Sequence, residues 1–566
     1  MIREVKNGIF IIVFTLLLIL SQTGICPADD FIVVYKNHEH KQKEINLPTF
    51  HHRHHFDIIP AISADLDANE LEEVSKNPDV AYIEPDYKIY ALGDVNDITA
   101  ESATIGSLAG PPQSIPYGIS LVNAPLVWER TKGTGVRVAV LDTGISMYHP
   151  DRGNVAASVS FAMDGSNVIP VEDFHGHGTH TSGTIAAADN NIGVVGVAPE
   201  ADLLIGKVLD NNGSGDTSWV ISGIEWAVTN NAKVISMSLG SDTYSSALDT
   251  ACSNAKAAGV IIFAAAGNDN VSTPSYPAAL PAVISVAAVD STKTKASFSN
   301  YGTTIGLSAP GVSVYSTIPL LKAADITADA VWSNTSHQSN IIEGTAPGTV
   351  SGEICNCGLG TGLTTQDSCP DTVAGNIAHI RRGTITFAAK VAYAQSKGAI
   401  GVIVSNNVSG NFNGTLADGS PLVVVSISQA DGDALETLAQ SGISGTVTTD
   451  GTVYTYYSGT SMACPHAAGV AALVIGAAHY NITPDEVKNL LFNTAQDLGT
   501  AGRDDYYGYG LADAEAALTL EKINILGTFA DNWLKNCSTP GWCSGMDTNQ
   551  NGRVNFTDFA ALTQNW

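Results

Sequence analysis

Five apolar runs between residues 136 and 289 constrain the fold of this chain more than any other feature: VRVAVLD, DLLIGKVL, VISMSL, VIIFAAAG and AVISVAAV. Such near-continuous apolar runs indicate strands buried on both faces. Their alternation with alanine-rich helical stretches predicts an α/β fold, a parallel sheet with helices on both faces. Functional residues in such sheets lie at the carboxyl ends of strands, where Asp142 and Asn268 stand.

The chain of 566 residues is long enough for several domains. A small α+β unit precedes the sheet pattern, with strands expected at FIVVY and AYIE around a helix at residues 69–76. The alternation of apolar runs and alanine-rich stretches is interrupted between residues 325 and 449 and then resumes. A helix is expected at 387–397 within this interruption. We therefore expect these units: a signal at 1–28, an α+β unit at 29–91, a polar linker at 92–115, the α/β domain at 116–324 and 450–520, an insert at 325–449 and a tail at 521–566.

The first residues predict export. Arg3 and Lys6 precede an apolar run at residues 9–20, and Ala28 is a small residue at a plausible cleavage point. A membrane anchor is the alternative, but the run is shorter than the roughly 20 residues that span a bilayer. The protein is expected to be secreted or at the cell surface. Removal of Cys26 leaves an odd number of cysteines, so at least one thiol stays free.

Acidic residues outnumber basic ones by 55 to 27. This charge makes nucleic acid a poor partner and favours divalent cations.

Three segments carry the catalytic chemistry: VLDTGI around Asp142, HGHGTHTSGTIAA around His177 and GTSMACPHAAGVAAL around Ser461. Together they resemble the subtilisin family, which implies a serine endopeptidase with these residues as its catalytic triad. Asn268, in AAAGND, matches the family's side-chain donor to the tetrahedral intermediate. The residues themselves support this interpretation, because a serine hydroxyl needs an adjacent base that is oriented by a carboxylate.

Each of these residues has a simpler interpretation. The LDTG around Asp142 is also half of an aspartic-protease site, but the sequence contains no second copy. His175, His177 and His180 suggest a metal cluster, but HExxH is absent. Serine also caps helices, which is the plain alternative for Ser461. By family position, His180 and His466 are structural and Cys464 is a buried free thiol.

The family resemblance also implies where substrate binds. Ser238, Leu239 and Gly240 match the strand that pairs with the substrate backbone, and Ala265, Ala266 and Gly267 match the opposite wall. Main-chain pairing tolerates many sequences, so protein or peptide substrates of broad specificity are expected.

Residues 188–194 resemble the family's calcium loop, with Asn190 as a ligand and Asp151 as the carboxylate partner. Oxygen ligands suit calcium as a structural cofactor. A plain surface turn is the alternative.

The unit at 29–91 resembles a subtilase propeptide, which folds and inhibits its own enzyme before it is cut off. Its histidines, His51, His52, His54 and His55, form either a sensor of acidic pH or, as we favour, a solvated loop. The insert resembles a protease-associated domain, which would overhang the cleft and steer large substrates.

The tail contains a twelve-residue EF-type calcium loop and resembles one repeat of a dockerin, so a surface or cohesin-like partner is conceivable. Cys537 and Cys543 flank a Pro-Gly turn and are placed to pair locally. Flanking apolar triplets, at 526, 529 and 533 and at 559, 562 and 566, are each expected to form a helix face. The loop's oxygens come from Asp547, Asn549, Asn551, Asn555, Asp558 and the carbonyl of Arg553.

The sequence thus predicts a calcium-stabilised secreted endopeptidase, made as a self-processed zymogen and acting through an acyl-enzyme. The alternative is a catalytically silent surface-binding protein that uses its insert and tail.

Overall fold

A computed structural model describes residues 29–45, 51–93, 112–165, 167–319, 327–346, 348–416, 420–450, 453–478, 482–538, 543–544 and 546–562. The expected signal at 1–28 lies outside these residues, and so do most of the linker and Trp566.

The N-terminal unit is a four-stranded antiparallel sheet with two helices, and its strand order is β2-β3-β1-β4. The expected strands at FIVVY and AYIE and the expected helix are all present. The second helix begins at Asp67, whose carboxylate and Glu70 form a capping box. The elements are β1 (Asp29–Tyr35), α1 (His38–Ile45), β2 (His51–Phe56), β3 (Ala61–Leu66), α2 (Ala68–Lys76) and β4 (Val80–Pro85).

The histidine stretch at 51–55 corrects our expectation of a solvated loop. It forms β2, which pairs with β3 up to Phe56, a fully buried residue. Phe56 anchors the strand, and the ring of His54 stacks at 6.4 Å from it. Burial lowers the pKa of His54 to about 4, so His54 does not titrate near neutrality.

The second unit is built on a seven-stranded sheet, order β16-β15-β14-β12-β6-β10-β7, with all neighbours parallel. This confirms the predicted α/β fold. The strands up to the insert are β5 (Lys88–Ala91), β6 (Arg137–Asp142), β7 (Val155–Ser160), β8 (Met163–Asp164), β9 (Asn167–Val168), β10 (Asp202–Lys207), β11 (Ser214–Asp216), β12 (Val234–Met237), β13 (Leu239–Gly240), β14 (Ile261–Ala265), β15 (Val283–Val289), β16 (Ile305–Pro310) and β17 (Val314–Thr317).

Helices cover both faces of this sheet because alternate strand residues point to opposite sides. Along β6, Val138 and Val140 join one apolar cluster, and Ala139 and Leu141 join the other. The helices of this part are α3 (Tyr117–Leu121), α4 (His177–Ala186), α5 (Thr217–Thr229) and α6 (Ser246–Ala257), with a 3₁₀ turn at Ala124–Val127.

The insert has a sheet and apolar clusters of its own. It leaves the main body after β17 and returns at β26 (Tyr454–Tyr457), which pairs antiparallel with β17. Cys357 and Cys369 form a disulfide inside it. Its elements are β18 (Thr327–Trp332), β19 (Thr335–Glu343), β20 (Gly348–Asn356), β21 (Ile377–Arg381), α7 (Phe387–Ser396), β22 (Gly401–Ser405), β23 (Gly414–Thr415), β24 (Val423–Ile427), α8 (Gln429–Ala439) and β25 (Ser444–Asp450), with 3₁₀ turns at Thr365–Asp367 and Asp371–Val373.

Helix α9 (Thr460–Ala477) is long and apolar enough to cross a membrane, but 89% of it is buried inside the protein, so it is a core helix. After it come α10 (Pro484–Thr494), α11 (Ala514–Asn532) and α12 (Phe556–Leu562).

Helix α11 crosses the boundary that we expected at residue 521. Glu521 is only 1% exposed, and its carboxylate lies 2.6 Å from a guanidinium nitrogen of Arg130 in the main body. The tail therefore continues a helix that is packed on the catalytic unit. Cys537 and Cys543 form the expected local disulfide, and Phe529 packs against Phe559 with ring centroids 5.2 Å apart.

Candidate active site

Asp142 and His177 meet at the carboxyl edge of the parallel sheet. Asp142 ends β6, and His177 is the first residue of α4. The Nδ1 of His177 lies 2.7 Å from Oδ1 of Asp142, and both side chains are buried. Asp142 also accepts hydrogen bonds from the amide of Thr143 at 2.7 Å and the hydroxyl of Thr181 at 3.1 Å. The carboxylate is thus fixed from several sides and orients the imidazole.

Ser461 is the second residue of α9, and its hydroxyl donates to the carbonyl of Ser238 at 3.0 Å. Gly93 shows how close Ser461 and His177 lie. A Cβ placed on Gly93 would be 3.2 Å from Nε2 of His177 and 3.7 Å from Cβ of Ser461. Within the described part of the chain, Nε2 of His177 has no hydrogen-bond partner. The base and the nucleophile therefore border the same small space.

Asn268 is held so that its amide NH₂ group faces that space. Its Oδ1 accepts hydrogen bonds from the amide and the hydroxyl of Thr460, each at 2.9 Å. A Cβ on Gly459 would lie 3.3 Å from Nδ2 of Asn268 and 3.0 Å from the carbonyl oxygen of Leu92. A side chain at Gly459 would therefore be in tight contact with both groups, which would have to shift to admit it.

The carbonyl of Leu92 points into the site. Its oxygen accepts a hydrogen bond from the amide of Ser461 at 3.3 Å. The same oxygen and Nδ2 of Asn268 both border Gly459, at 3.0 and 3.3 Å from a Cβ placed there. A carbonyl that accepts a helix N-terminal amide, with an amide side chain on the same side of the site, has surroundings suited to stabilise a developing oxyanion.

The residues before Leu92 form β5, which lies between β11 and β13 in an antiparallel three-stranded sheet. Of the residues expected to bind substrate, Leu239 pairs with Ala91 and Gly240 with Tyr90. The amide of Leu92 donates to the carbonyl of Ser238 at 3.1 Å. The N-terminal unit thus places its own chain in the groove where a substrate would lie.

The residues of the expected opposite wall lie just before Asn268. Ala265 and Ala266 are fully buried, and the amide of Gly267 donates to the hydroxyl of Thr460 at 3.0 Å. These residues fix the turn that carries Asn268.

The strand that pairs with the other edge of β5 is β11, which sequence reasoning missed. Its only sequence signal is the polar, glycine-containing run NNGSGD at 211–216.

A buried aspartate next to the expected triad was also missed. Asp173 accepts hydrogen bonds from Thr143 Oγ1 at 2.9 Å and from the amide of Gly176 at 2.8 Å, just before α4. Burial alone would raise the pKa of Asp173, but Lys207 and these donors hold it below its ordinary value. This network fixes the start of the helix that carries His177.

The residues that we left out of the site are structural. The Nε2 of His180 lies 3.0 Å from the carbonyl of Val314, and burial lowers its pKa to about 3. His466 lies 2.7 Å from the carbonyl of Met462, and burial lowers its pKa to about 4. Cys464 is a buried free thiol whose pKa burial raises to about 12.

The first predicted calcium site has a donor set that fits a hard cation. Asp151 is fully buried, and its Oδ2 accepts the amide of Val194 at 2.8 Å, while Oδ1 has no partner among the described residues. Asn190 lies in the same loop, with Oδ1 3.0 Å from the amide of Ile192. Gln113, missed from the sequence, brings a further amide oxygen and donates to the carbonyl of Ala188 at 2.9 Å. A buried carboxylate oxygen without a partner among amide and carbonyl oxygens suits calcium.

The tail loop has oxygen donors as well. Asp547 and Asp558, at its two ends, are 1% and 0% exposed. Asp547 accepts the amide of Gly552 at 2.8 Å, and Asp558 accepts the amide of Asn555 at 2.9 Å. Gly552, at φ +95°, makes the sharp turn. Asn549 and Asn551 each accept a backbone amide of the loop, and Asn555 donates to the carbonyl of Arg553. The donor chemistry fits calcium.

The chain is similar to several known proteins. A family model described as the subtilase family matches residues 133–347 and 365–510, and one described as peptidase inhibitor I9 matches residues 27–91. Subtilisin NAT of Bacillus subtilis subsp. natto is 45% identical over 269 residues, 47% of this chain and 65% of that protein. Subtilisin of Bacillus pumilus is 49% identical over 212 residues, 37% of this chain and 76% of that protein. The solved structure of the psychrophilic subtilisin-like protease Apa1 of Pseudoalteromonas sp. AS-11 is 31% identical, covers 72% of this chain and 97% of that one, and has a TM-score of 0.46. The chain thus spans just under two thirds, 65%, of the first relative's length.

Proposed function

The chain belongs to the subtilase family, and from this membership we propose that it is a secreted serine endopeptidase made as a zymogen that cuts itself between Leu92 and Gly93. The observation that carries the proposal is the position of the Leu92 carbonyl. It receives the amide of Ser461 at 3.3 Å, and Gly93 lies beside His177.

The chemistry follows from these positions. His177 takes the hydroxyl proton of Ser461 at Nε2 while Oγ attacks the carbonyl carbon of Leu92. The oxyanion is stabilised by the Ser461 amide and by Nδ2 of Asn268. His177 then gives the proton to the nitrogen of Gly93, the C–N bond breaks and an acyl-enzyme remains. Water attacks this ester with His177 again as base, which releases the Leu92 carboxylate. Protein or peptide substrates would follow the same course.

The N-terminal unit is placed to inhibit as well as to be cut. Glu84 accepts hydrogen bonds from Ser245 Oγ and from the amides of Ser246 and Ala247 at the start of α6. In return, Glu225 of the main body accepts the amide of Asp57 at 2.7 Å. These contacts would hold the unit after cleavage and keep β5 in the groove.

Calcium would act as a structural ion. At the first loop it would neutralise the buried carboxylate of Asp151 with oxygens from Asn190 and Gln113. At the tail loop it would bind Asp547, Asn549, Asn551, Asn555, Asp558 and the carbonyl of Arg553. Binding only to the folded protein stabilises it by mass action.

The insert and the tail are proposed to serve substrate access and attachment. The insert emerges from the β17–β26 pair, and Ser316 and Thr317 of β17 donate to carbonyls of α4, the helix of His177. This connection supports a position near the cleft, where a protease-associated domain would steer large substrates. The dockerin-like tail would carry a surface or cohesin-like partner.

A serine-directed phosphonylating reagent tests the proposal. It should label the mature protein at Ser461, located by peptide mass spectrometry, and block the hydrolysis of casein. Replacement of His177 by alanine should abolish labelling. Labelling at another residue would contradict the assigned site.

A further inference from the structure

The groove binds more of the N-terminal unit than the residues next to the scissile bond. Lys88 is the fifth residue before that bond when Leu92 is counted as the first. It stands directly opposite Asp216 in the pairing of β5 with β11. The ammonium nitrogen of Lys88 lies 2.6 Å from Oδ1 of Asp216. The ion pair therefore joins the bound segment to the enzyme body.

The two partners differ in burial. The side chain of Asp216 is 6% exposed, whereas that of Lys88 is 57% exposed. The same ammonium group lies 6.0 Å from the ring centroid of Trp219, which is itself buried. A fixed carboxylate with an aromatic face nearby is a suitable environment for a cation on a flexible stem.

Asp216 does not use its carboxylate for the helix that it precedes. It occupies the N-cap position of α5, where an aspartate commonly accepts amides of the first turn, but its side chain makes no such bond. The amides of Thr217 and Ser218 are bound instead by the carbonyl of Tyr87 and by Asp86 of the N-terminal unit, each at 2.9 Å. The carboxylate of Asp216 is left for Lys88.

Two further acids near this pair belong to the N-terminal unit. Asp30 and Asp86 interact electrostatically with both Asp216 and Lys88. Both would leave with that unit, whereas Asp216 and Trp219 would remain. After maturation, Asp216 remains as the acid that pairs with this position, while Asp242 and Asp269 line the same groove.

We propose that Asp216 and Trp219 form a subsite of the mature enzyme that selects a lysine or arginine at the fifth residue before the scissile bond. The inference rests on the proposed function and names a substrate class for the same site. Recognition is electrostatic and acts about four residues away from Leu92, at the scissile bond. The subsite would therefore affect which extended segments are cut. Because Lys88 is half exposed, the preference should be moderate.

The test uses mature full-length enzyme and internally quenched peptides based on residues 86–97, with lysine, arginine, norleucine or glutamate at the position of Lys88. We expect kcat/KM to be about fivefold higher for lysine and arginine than for norleucine, and lowest for glutamate. Asp216→Asn should bring the ratio of lysine to norleucine close to one. Asp242→Asn is the matched control, because Asp242 lines the groove beside Leu92 and Gly240 without pairing with Lys88. It should keep most of the ratio.

The outcomes separate the two claims. If every peptide is cut at equal rates, the subsite is wrong and the proposed function stands. If Asp242→Asn lowers the ratio as much as Asp216→Asn does, the general negative field of the groove selects the cation and the subsite is also wrong. If no peptide is cut, both claims fail. If Asp216→Asn does not fold, the test is made on the wild-type enzyme instead. The ratio of kcat/KM for the lysine peptide to that for the norleucine peptide is then measured from low to high salt. The ratio must fall with salt, because screening weakens charge pairs, and a constant ratio contradicts the proposal.

Discussion

The amide nitrogen of Ser461 donates a hydrogen bond to the carbonyl oxygen of Leu92 at 3.3 Å. The expected nucleophile therefore contacts, through its own backbone, the peptide group that it would attack. This one contact joins the N-terminal unit to the proposed catalytic residues, and the proposed maturation site is the bond that follows Leu92.

Asn268→Leu should lower kcat about a hundredfold or more with little change in KM, since the lost hydrogen bond forms mainly in the transition state. Steady-state kinetics on a short peptide measure this. Thr460→Val is the control, because it removes the hydroxyl that bonds Oδ1 of Asn268 and the amide of Gly267 but keeps the bond from the Thr460 amide and leaves Nδ2 in place. The loss of kcat in Thr460→Val should be clearly smaller than in Asn268→Leu. Unchanged turnover in Asn268→Leu would remove this residue from the site.

Asp151→Ala should lower the melting temperature measured in calcium. It should also narrow the difference in melting temperature between protein in calcium and protein in a chelator, because calcium that binds only the native state stabilises it. Thermal unfolding of mature enzyme inactivated by phosphonylation measures this difference. Asp189→Asn is the matched control, since Asp189 lies in the loop at 188–194 that contacts Asp151 but pairs with Lys132 at the surface. An undiminished difference in Asp151→Ala would mean that the loop is a plain turn.

The contact between the cut N-terminal unit and the enzyme should weaken as the pH rises. Burial raises the pKa of Asp86 from 3.8 to about 7, and Asp216 and Asp30 add to this effect. Because the pKa is higher in the complex than in the free unit, protonation favours the complex. The contribution is complete below about pH 4 and is lost as the pH passes through 7. Gel filtration of self-processed protein should show more bound unit at pH 5 than at pH 8. In Asp86→Asn, the bound fraction of the N-terminal unit should depend less on pH. A steeper or reversed pH dependence in this variant would contradict the role assigned to Asp86.

Asp547→Ala should remove a calcium-dependent change in tryptophan fluorescence while the protein still hydrolyses casein. The reason is that Trp533 packs on Phe529, which in turn contacts Phe559 just after the loop. The full-length chain is needed because α11 runs from the main body into the tail. Trp533→Phe identifies the contribution of this tryptophan to the signal. Loss of proteolysis in Asp547→Ala would mean that the tail is part of the catalytic unit.

The sequence was sufficient where information is local. Apolar runs located the central strands, and the expected triad followed from the resemblance of three short motifs to the subtilisin family. It was insufficient where contacts join distant residues. Gln113 reaches a carbonyl 75 residues away, and β11 has little hydropathy signal because it binds through its backbone. The histidine strand β2 was missed because a half-buried position is filled by His54 and only Phe56 is apolar. The continuity of α11 was missed because the change of pattern at residue 521 falls inside a helix.

N-terminal sequencing of the purified precursor tests the central claim most directly. The wild-type protein should yield a new terminus at Gly93, because the Leu92 carbonyl lies against Ser461. The variant Ser461→Ala, purified in the same way, should keep the N-terminal unit attached. A Ser461→Ala precursor that still matures by itself, or a wild-type cut at a different bond, would contradict the account.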